Sequence, residues 1–175
     1  FDFGSLNTIE LNSFLTIENG IDILINNAGY LVNEAFGQIS ESNLRRMYEV
    51  NVLGPFRLMQ VVLPLLREDN SHVISIGSMG GVQGSVKFPG LSAYSSSKGG
   101  MSILTECLAE EYKESNIKFN CLALGAVQTE MLNEAFPGYE ASVSAKEMAQ
   151  YIYSFALNGS RFINGKVISV SNSTP

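Results

Sequence analysis

Tyr94 and Lys98 stand four residues apart in "AYSSSKGG", with only serines between them. On a helix, positions i and i+4 share a face, so the phenol and the ammonium point into one space. A cation beside a phenol favours the phenolate and draws the tyrosine pKa down from about 10. That pair is suited to moving a proton on and off an oxygen. The spacing also arises by chance, and a surface helix start with a snorkelling lysine is the rival reading. Ser78, closing the run "HVISIGS", offers a hydroxyl donor at a strand end, with Ser75 as a nearby competitor. Asn51, in "NVLG", puts an amide in the middle of a helical pattern, where it could equally cap or kink that helix.

The elements that must position these groups alternate. Apolar runs over 21–26, 72–78, 117–124 and 166–170 predict strands buried on both faces. Segments 5–19, 40–68, 93–116 and 144–158 carry apolar residues at three- and four-residue spacing and predict helices. Strands alternating with helices predict an α/β fold, a doubly wound parallel sheet of Rossmann type. In such sheets ligands bind beyond the carboxyl ends of the strands. Those ends are "NNAGY", Ser78 with "MGG", and "GAVQTEM", all rich in small residues that let a flat ligand approach the backbone.

Composition narrows the classes. The 175 residues are 45% hydrophobic and 16% charged, as in an ordinary globular domain. The net charge of −6 and the lack of a Lys/Arg cluster argue against nucleic acid or an anionic membrane as partner. The apolar run "VVLPLL" is too short to cross a membrane. Cys107 and Cys121 lie in apolar contexts without metal-ligand spacing and read as reduced core cysteines of a cytoplasmic protein.

The ordered set "NNAG" (26–29), "NVLG" (51–54), Ser78, "YSSSK" (94–98) and "GAVQT" (125–129) resembles the short-chain dehydrogenase/reductase family. The resemblance runs through nearly the whole chain. It implies a Rossmann-type fold and an NAD(P)-dependent oxidoreductase acting between a carbonyl and a secondary alcohol. It further implies that Tyr94 is the acid–base, that Ser78 hydrogen-bonds the substrate oxygen, and that Lys98 holds the nicotinamide ribose. Asn51 would bind a water linking Lys98 to solvent. Asn26, Ala28 and Gly29 would line the cofactor, and Val127 and Thr129 would meet its nicotinamide end. Asp2 and Phe3 resemble the family's adenine-contacting pair, although an exposed terminal Asp is a rival explanation. NAD and NADP are not distinguished. The partner is a small carbonyl or alcohol, and the family's habit implies a homodimer or homotetramer through helices 40–68 and 93–116. The second helix offers Met101, Ile103, Leu104 and Leu108 for that contact, or for the sheet.

Departures from the family pattern carry their own expectations. Its Gly-rich fingerprint is not among these residues, and the chain opens "FDFGS". Residues 1–175 are therefore expected to be one partial domain, the carboxyl-terminal part of a longer chain, lacking a β-α-β-α-β unit. Leu124 stands where the family usually has proline. The segment between Ser78 and Tyr94 is long, so Phe88 and Leu91 are expected to border an enlarged substrate pocket. The end "VISVSNSTP" lacks D-G-G. Ser95 and Lys98 spell S-x-x-K, but the companion elements of that hydrolase class are missing, and His72 has no G-x-S-x-G partner. A dinucleotide-binding sensor without catalysis is the alternative function, and it has no need of Ser78, Tyr94 and Lys98 together.

Overall fold

A computed structural model describes residues 20–172. The helix expected over 5–19 lies outside them. Four strands, β1 (Ile23–Asn26), β2 (His72–Ser78), β3 (Lys118–Leu124) and β4 (Lys166–Val170), pair in parallel in chain order. The ladders begin at Ile23 and Lys118, later than the apolar runs suggest, because Ile21 makes only an isolated bridge to Leu66. Parallel neighbours need crossovers, and each crossover here carries helix.

Alternation along the strands feeds two cores. Val73 and Phe119, register partners, pack with Met59, Val62 and Ala109 on one face of the sheet. Ile74, Ile76 and Leu122 pack with Ala156 on the other. Phe119, Ile74 and Leu122 are at most 1% exposed, and each side chain so buried contributes about 1.5–3 kcal/mol.

The helix expected over 40–68 is divided. Ser40 caps α1 (Glu41–Tyr48), its Oγ accepting the N–H of Asn43 at 3.1 Å. A π turn (Glu49–Leu53) follows, and then α2 (Gly54–Val62) and a 3-10 turn (Leu63–Leu65). Pro55 causes the first change: it offers no N–H to the carbonyl of Asn51, and its ring crowds that carbonyl. The widened turn absorbs the conflict, with Gly54 N–H reaching Glu49 O five residues back. Pro64 similarly ends α2.

Helix α3 (Ser92–Glu111) stops short of the expected 116. Ser115 closes a turn instead, donating to Tyr112 O at 2.7 Å and accepting from Ile117 N–H at 3.2 Å. A short helix that the periodicity missed, α4 (Glu130–Ala135), follows β3. α5 (Ala145–Asn158) starts with a capping box in which Ser144 and Glu147 satisfy each other's backbone N–H. Cys121 is fully buried, but Cys107 is exposed, so only one of the two expected core cysteines is in the core, and both are free thiols. Among the described residues no helix is long and apolar enough to cross a membrane.

Candidate active site

The buried residues of helix α3 are small or polar apart from Met101: Ala93, Ser97, Lys98, Ser102, Thr105 and Ala109. Its buried hydroxyls are satisfied within the helix, Ser102 by Lys98 O and Thr105 by Met101 O. The first turns of α3 thereby lie close to the carboxyl end of β2, where Ser78 ends the strand in extended conformation. The loop after β2 then lies directly on α3. A Cβ at Gly81 would stand 2.7 Å from the Gly99 nitrogen and 2.8 Å from the Lys98 carbonyl carbon, so only glycine permits the approach.

That packing sets the Ser78 hydroxyl beside the Tyr94 phenol, close enough to act on its ionisation. Lys98 is 5% exposed and donates from Nζ to the carbonyl of Ile76 at 2.8 Å, with Nζ 5.9 Å from the Tyr94 ring centroid. Burial penalises its charge and lowers the ammonium pKa to about 8. The phenol moves opposite to the sequence expectation. Burial pushes the Tyr94 pKa up, and the Ser78 hydroxyl is what opposes the rise. The lowering of the phenol by Lys98 is thus corrected: the ammonium is engaged with a backbone carbonyl, and desolvation dominates the ring.

Asn51 sits in the π turn and is 2% exposed. Its Oδ1 accepts from Tyr30 N–H at 2.8 Å, and its Nδ2 donates to Tyr30 O and to Ser97 Oγ, both at 2.9 Å. The amide therefore ties the loop after β1 to α3. Ser97 Oγ in turn donates to Tyr94 O at 2.8 Å. Gly29, in the same loop, leaves a small space. A Cβ there would lie 3.4 Å from Lys98 Nζ, 3.6 Å from Asn51 Oδ1 and 3.7 Å from Met131 Cε. Asn26 is buried at the end of β1, and neither atom of its amide finds a partner among the described residues. Ala28 follows in the same loop. Val127 precedes α4, and Thr129 caps it, Oγ1 accepting from Leu132 N–H at 3.2 Å. Asp2 and Phe3 lie outside the described residues.

Ser97, Met131 and the carbonyl of Ile76 also belong to this constellation, and the sequence patterns did not single them out. Ser97 carried a signal, lying inside "YSSSK"; the other two did not. Phe88 and Leu91 line an open groove of about 980 Å³ with Phe36, Val82 and Ile103, and its walls do not include Ser78, Tyr94 or Lys98. The long loop thus shapes a groove beside the site. His72 is remote from these groups, its ring bonded to Ala156 O and to Asn120 Nδ2 at 3.1 Å each.

Comparison with known proteins gives a consistent picture. Residues 12–140 match the family model described as short chain dehydrogenase. Nodulation protein G of Rhizobium sp. (strain N33) is 32% identical over 164 residues, which are 87% of this chain and 65% of that protein. The 3-oxoacyl-acyl-carrier-protein reductase FabG of Thermotoga maritima is 30% identical over 162 residues, 86% of this chain and 64% of the reductase. The chain thus spans slightly less than two thirds of these relatives. Among solved structures, a short chain dehydrogenase from Salmonella enterica serovar Typhi superposes with a TM-score of 0.87 at 24% identity, covering 97% of this chain and 72% of its own. One from Escherichia coli CFT073, complexed with NADPH, gives 0.86 at 23% identity over the same shares. At such identities the likeness is one of fold.

Proposed function

The chain belongs to the short chain dehydrogenase family, and from that membership we propose that it serves an NAD(P)-dependent oxidoreductase that interconverts a carbonyl and a secondary alcohol. The observation that carries the proposal is the convergence of Ser78, Tyr94, Lys98 and Asn51 at the carboxyl ends of β1 and β2. The space over Gly29, bounded by Lys98 Nζ and Asn51 Oδ1, and the buried amide of Asn26, without a partner among the described residues, fit a flat polar ligand at these strand ends. By the family pattern Asn26, Ala28 and Gly29 would line the cofactor, Lys98 with Tyr94 would hold the nicotinamide ribose, Val127 and Thr129 would meet the nicotinamide end, and Asp2 and Phe3 would be the adenine-contacting pair. A bound nicotinamide dinucleotide supplies the hydride.

The side chains do the rest. Ser78 Oγ donates a hydrogen bond to the carbonyl oxygen, where negative charge develops. The Tyr94 phenol then gives its proton to that oxygen, completing the alcohol, and takes it back in the reverse direction. Burial keeps this phenol protonated at neutral pH, which is the form that carbonyl reduction requires. Lys98 places a cation beside the phenolate that results. Asn51 and Ser97 hold the first turn of α3 against the loop after β1. A 3-oxoacyl thioester is the first carbonyl to try, by similarity to the reductases.

The test is turnover of a panel of ketones, 3-oxoacyl thioesters and alcohols with both NADH/NAD and NADPH/NADP, alongside Tyr94→Phe. Turnover that the phenylalanine variant loses by about 10²-fold or more supports the role. Undiminished turnover refutes it. Tight dinucleotide binding with no turnover on any substrate favours a sensor.

A further inference from the structure

His72 opens β2 and Asn120 lies on β3, 2% and 0% exposed, beside Ala156 and Phe155 of α5. Asn120 reaches the segment that leads into β4. Its Nδ2 donates to Ile163 O at 2.9 Å, and its Oδ1 accepts Lys166 N–H at 3.2 Å. A backbone carbonyl only accepts and a backbone N–H only donates, so these two groups fix which way the amide points. Nδ2 therefore also faces His72 Nε2, at 3.1 Å, and this ring nitrogen must be the bare acceptor. The one hydrogen of the neutral ring is then on Nδ1, where it donates to Ala156 O at 3.1 Å. The tautomer of a residue on β2 is thus dictated by the entry to β4.

This arrangement has no place for a second proton on the ring. Protonation adds a hydrogen to Nε2, and that hydrogen would point at the donor Nδ2. Nδ1–H keeps its bond to Ala156 O in either form, so the conflict falls wholly on Asn120. Turning the amide over relieves it, because Oδ1 then faces Nε2–H. The same half-turn sets Oδ1 against Ile163 O and Nδ2 against Lys166 N–H, and neither backbone group keeps its partner. Two further ties hold the segment to β3: Phe119 N–H donates to Asn164 Oδ1 at 2.9 Å, and Gly165 N–H to Phe119 O at 2.8 Å.

The titratable groups on the neighbouring elements are engaged away from the ring. Asp22, before β1, pairs with Arg67 at 3.4 Å, and Asp69 with the same guanidinium at 2.9 Å. Lys118, the register partner of His72 on β3, donates to Ser115 O at 3.4 Å. Tyr151 of α5 stacks on Phe155, Arg161 lies over Phe162, and the Lys166 side chain is exposed. Among the described residues, burial and the Ala156 carbonyl are what act on the ionisation of His72, the first against the charge and the second for it.

We propose that His72 and Asn120 form a proton-operated latch on the start of β4: a second proton on the ring turns the Asn120 amide over, and Ile163 O and Lys166 N–H are released. The latch is independent of the reaction proposed above.

NMR of the 15N-labelled protein tests this from pH 8 down to the acid limit of the native fold. At pH 8 the imidazole is expected as the Nδ1–H tautomer; a hydrogen on Nε2 instead overturns the latch. Hydrogen exchange at Lys166 N–H, corrected for its intrinsic rate, is expected to quicken by up to about tenfold per pH unit below about 6.5, the slope of one proton taken up per opening. Ile74 N–H, whose strand neighbours are β1 and β3, is expected to stay at least about tenfold better protected below the midpoint of the ring. His72→Gln offers a donor and an acceptor without a titrating group, and there the pH step at Lys166 is expected to vanish. Unchanged protection of Lys166 through the midpoint overturns the latch. Equal loss at Lys166 and Ile74 also overturns it, being unfolding of the whole protein, as does a pH step that persists in His72→Gln. If that variant does not fold, the wild-type tautomer and the comparison of Lys166 with Ile74 decide alone.

Discussion

Asn51 and Ser97, 46 residues apart in the chain, share a buried hydrogen bond of 2.9 Å, and Ser97 passes it on to the backbone of Tyr94 at 2.8 Å. One hydroxyl thus connects the π turn to the first turn of α3. Both hydrogens of the Asn51 amide are used, one on Tyr30 O and one on Ser97, so removing Ser97 strands a buried donor.

Ser97→Ala is accordingly expected to destabilise the protein by about 1–3 kcal/mol. Urea unfolding followed by circular dichroism measures this. A loss below a few tenths of a kcal/mol would mean that the Asn51 amide does not depend on this partner.

Lys98 makes stability depend on alkaline pH. Its folded pKa, about 8, lies below the ordinary lysine value of 10.5, so between these values the unfolded chain binds more protons. Stability therefore rises with pH across that window. Relative to Lys98→Met, wild type should gain on the order of 3 kcal/mol from below pH 8 to above pH 10.5. Denaturant titrations of both proteins at several pH values give the difference, and a flat or falling difference would contradict the burial cost.

His72 makes stability depend on acid. It is 2% exposed, and burial lowers its pKa from 6.5. Nδ1 donates to Ala156 O and Nε2 accepts from Asn120, so the network suits the neutral ring. Below 6.5 the unfolded chain takes up the proton first, and stability falls as pH drops. His72 is the only histidine in the sequence, so one imidazole signal reports its titration by NMR. A midpoint at or above 6.5 would contradict this prediction.

Four expected contact residues on α3 behave differently. Met101 is 3% exposed, Leu104 and Leu108 are half-buried, and Ile103 is 59% exposed. Tyr48, Leu53 and Phe56, on α1, the π turn and α2, are exposed as well, and Tyr48 is bonded to Ser96 of α3. If the protein is a homodimer or homotetramer through these helices, Ile103→Glu should reduce the mass seen by light scattering without loss of native circular dichroism. A wild-type monomer, or an oligomer indifferent to the substitution, would exclude this face.

Much of the fold was legible in the chain because burial on both faces writes continuous apolar runs, and β2 and β4 begin and end where those runs do. Tyr94, Lys98, Ser78 and Asn51 were legible as a set because their residue types and order form a pattern that chance does not readily supply. Three-dimensional packing decided the rest. Pro55 had to meet the carbonyl of Asn51 before a π turn replaced regular helix, and local propensity does not register that clash. α4 is one cap and a few residues, too short for periodicity to announce. The direction of the Tyr94 pKa could not come from its spacing to Lys98, because spacing gives proximity and not the dielectric. Only the fold withdrew the half-buried phenol from water and turned the ammonium toward the carbonyl of Ile76. Met131 comes near Gly29 because the segments after β1 and β3, distant in the chain, lie side by side, a proximity that no local sequence signal encodes.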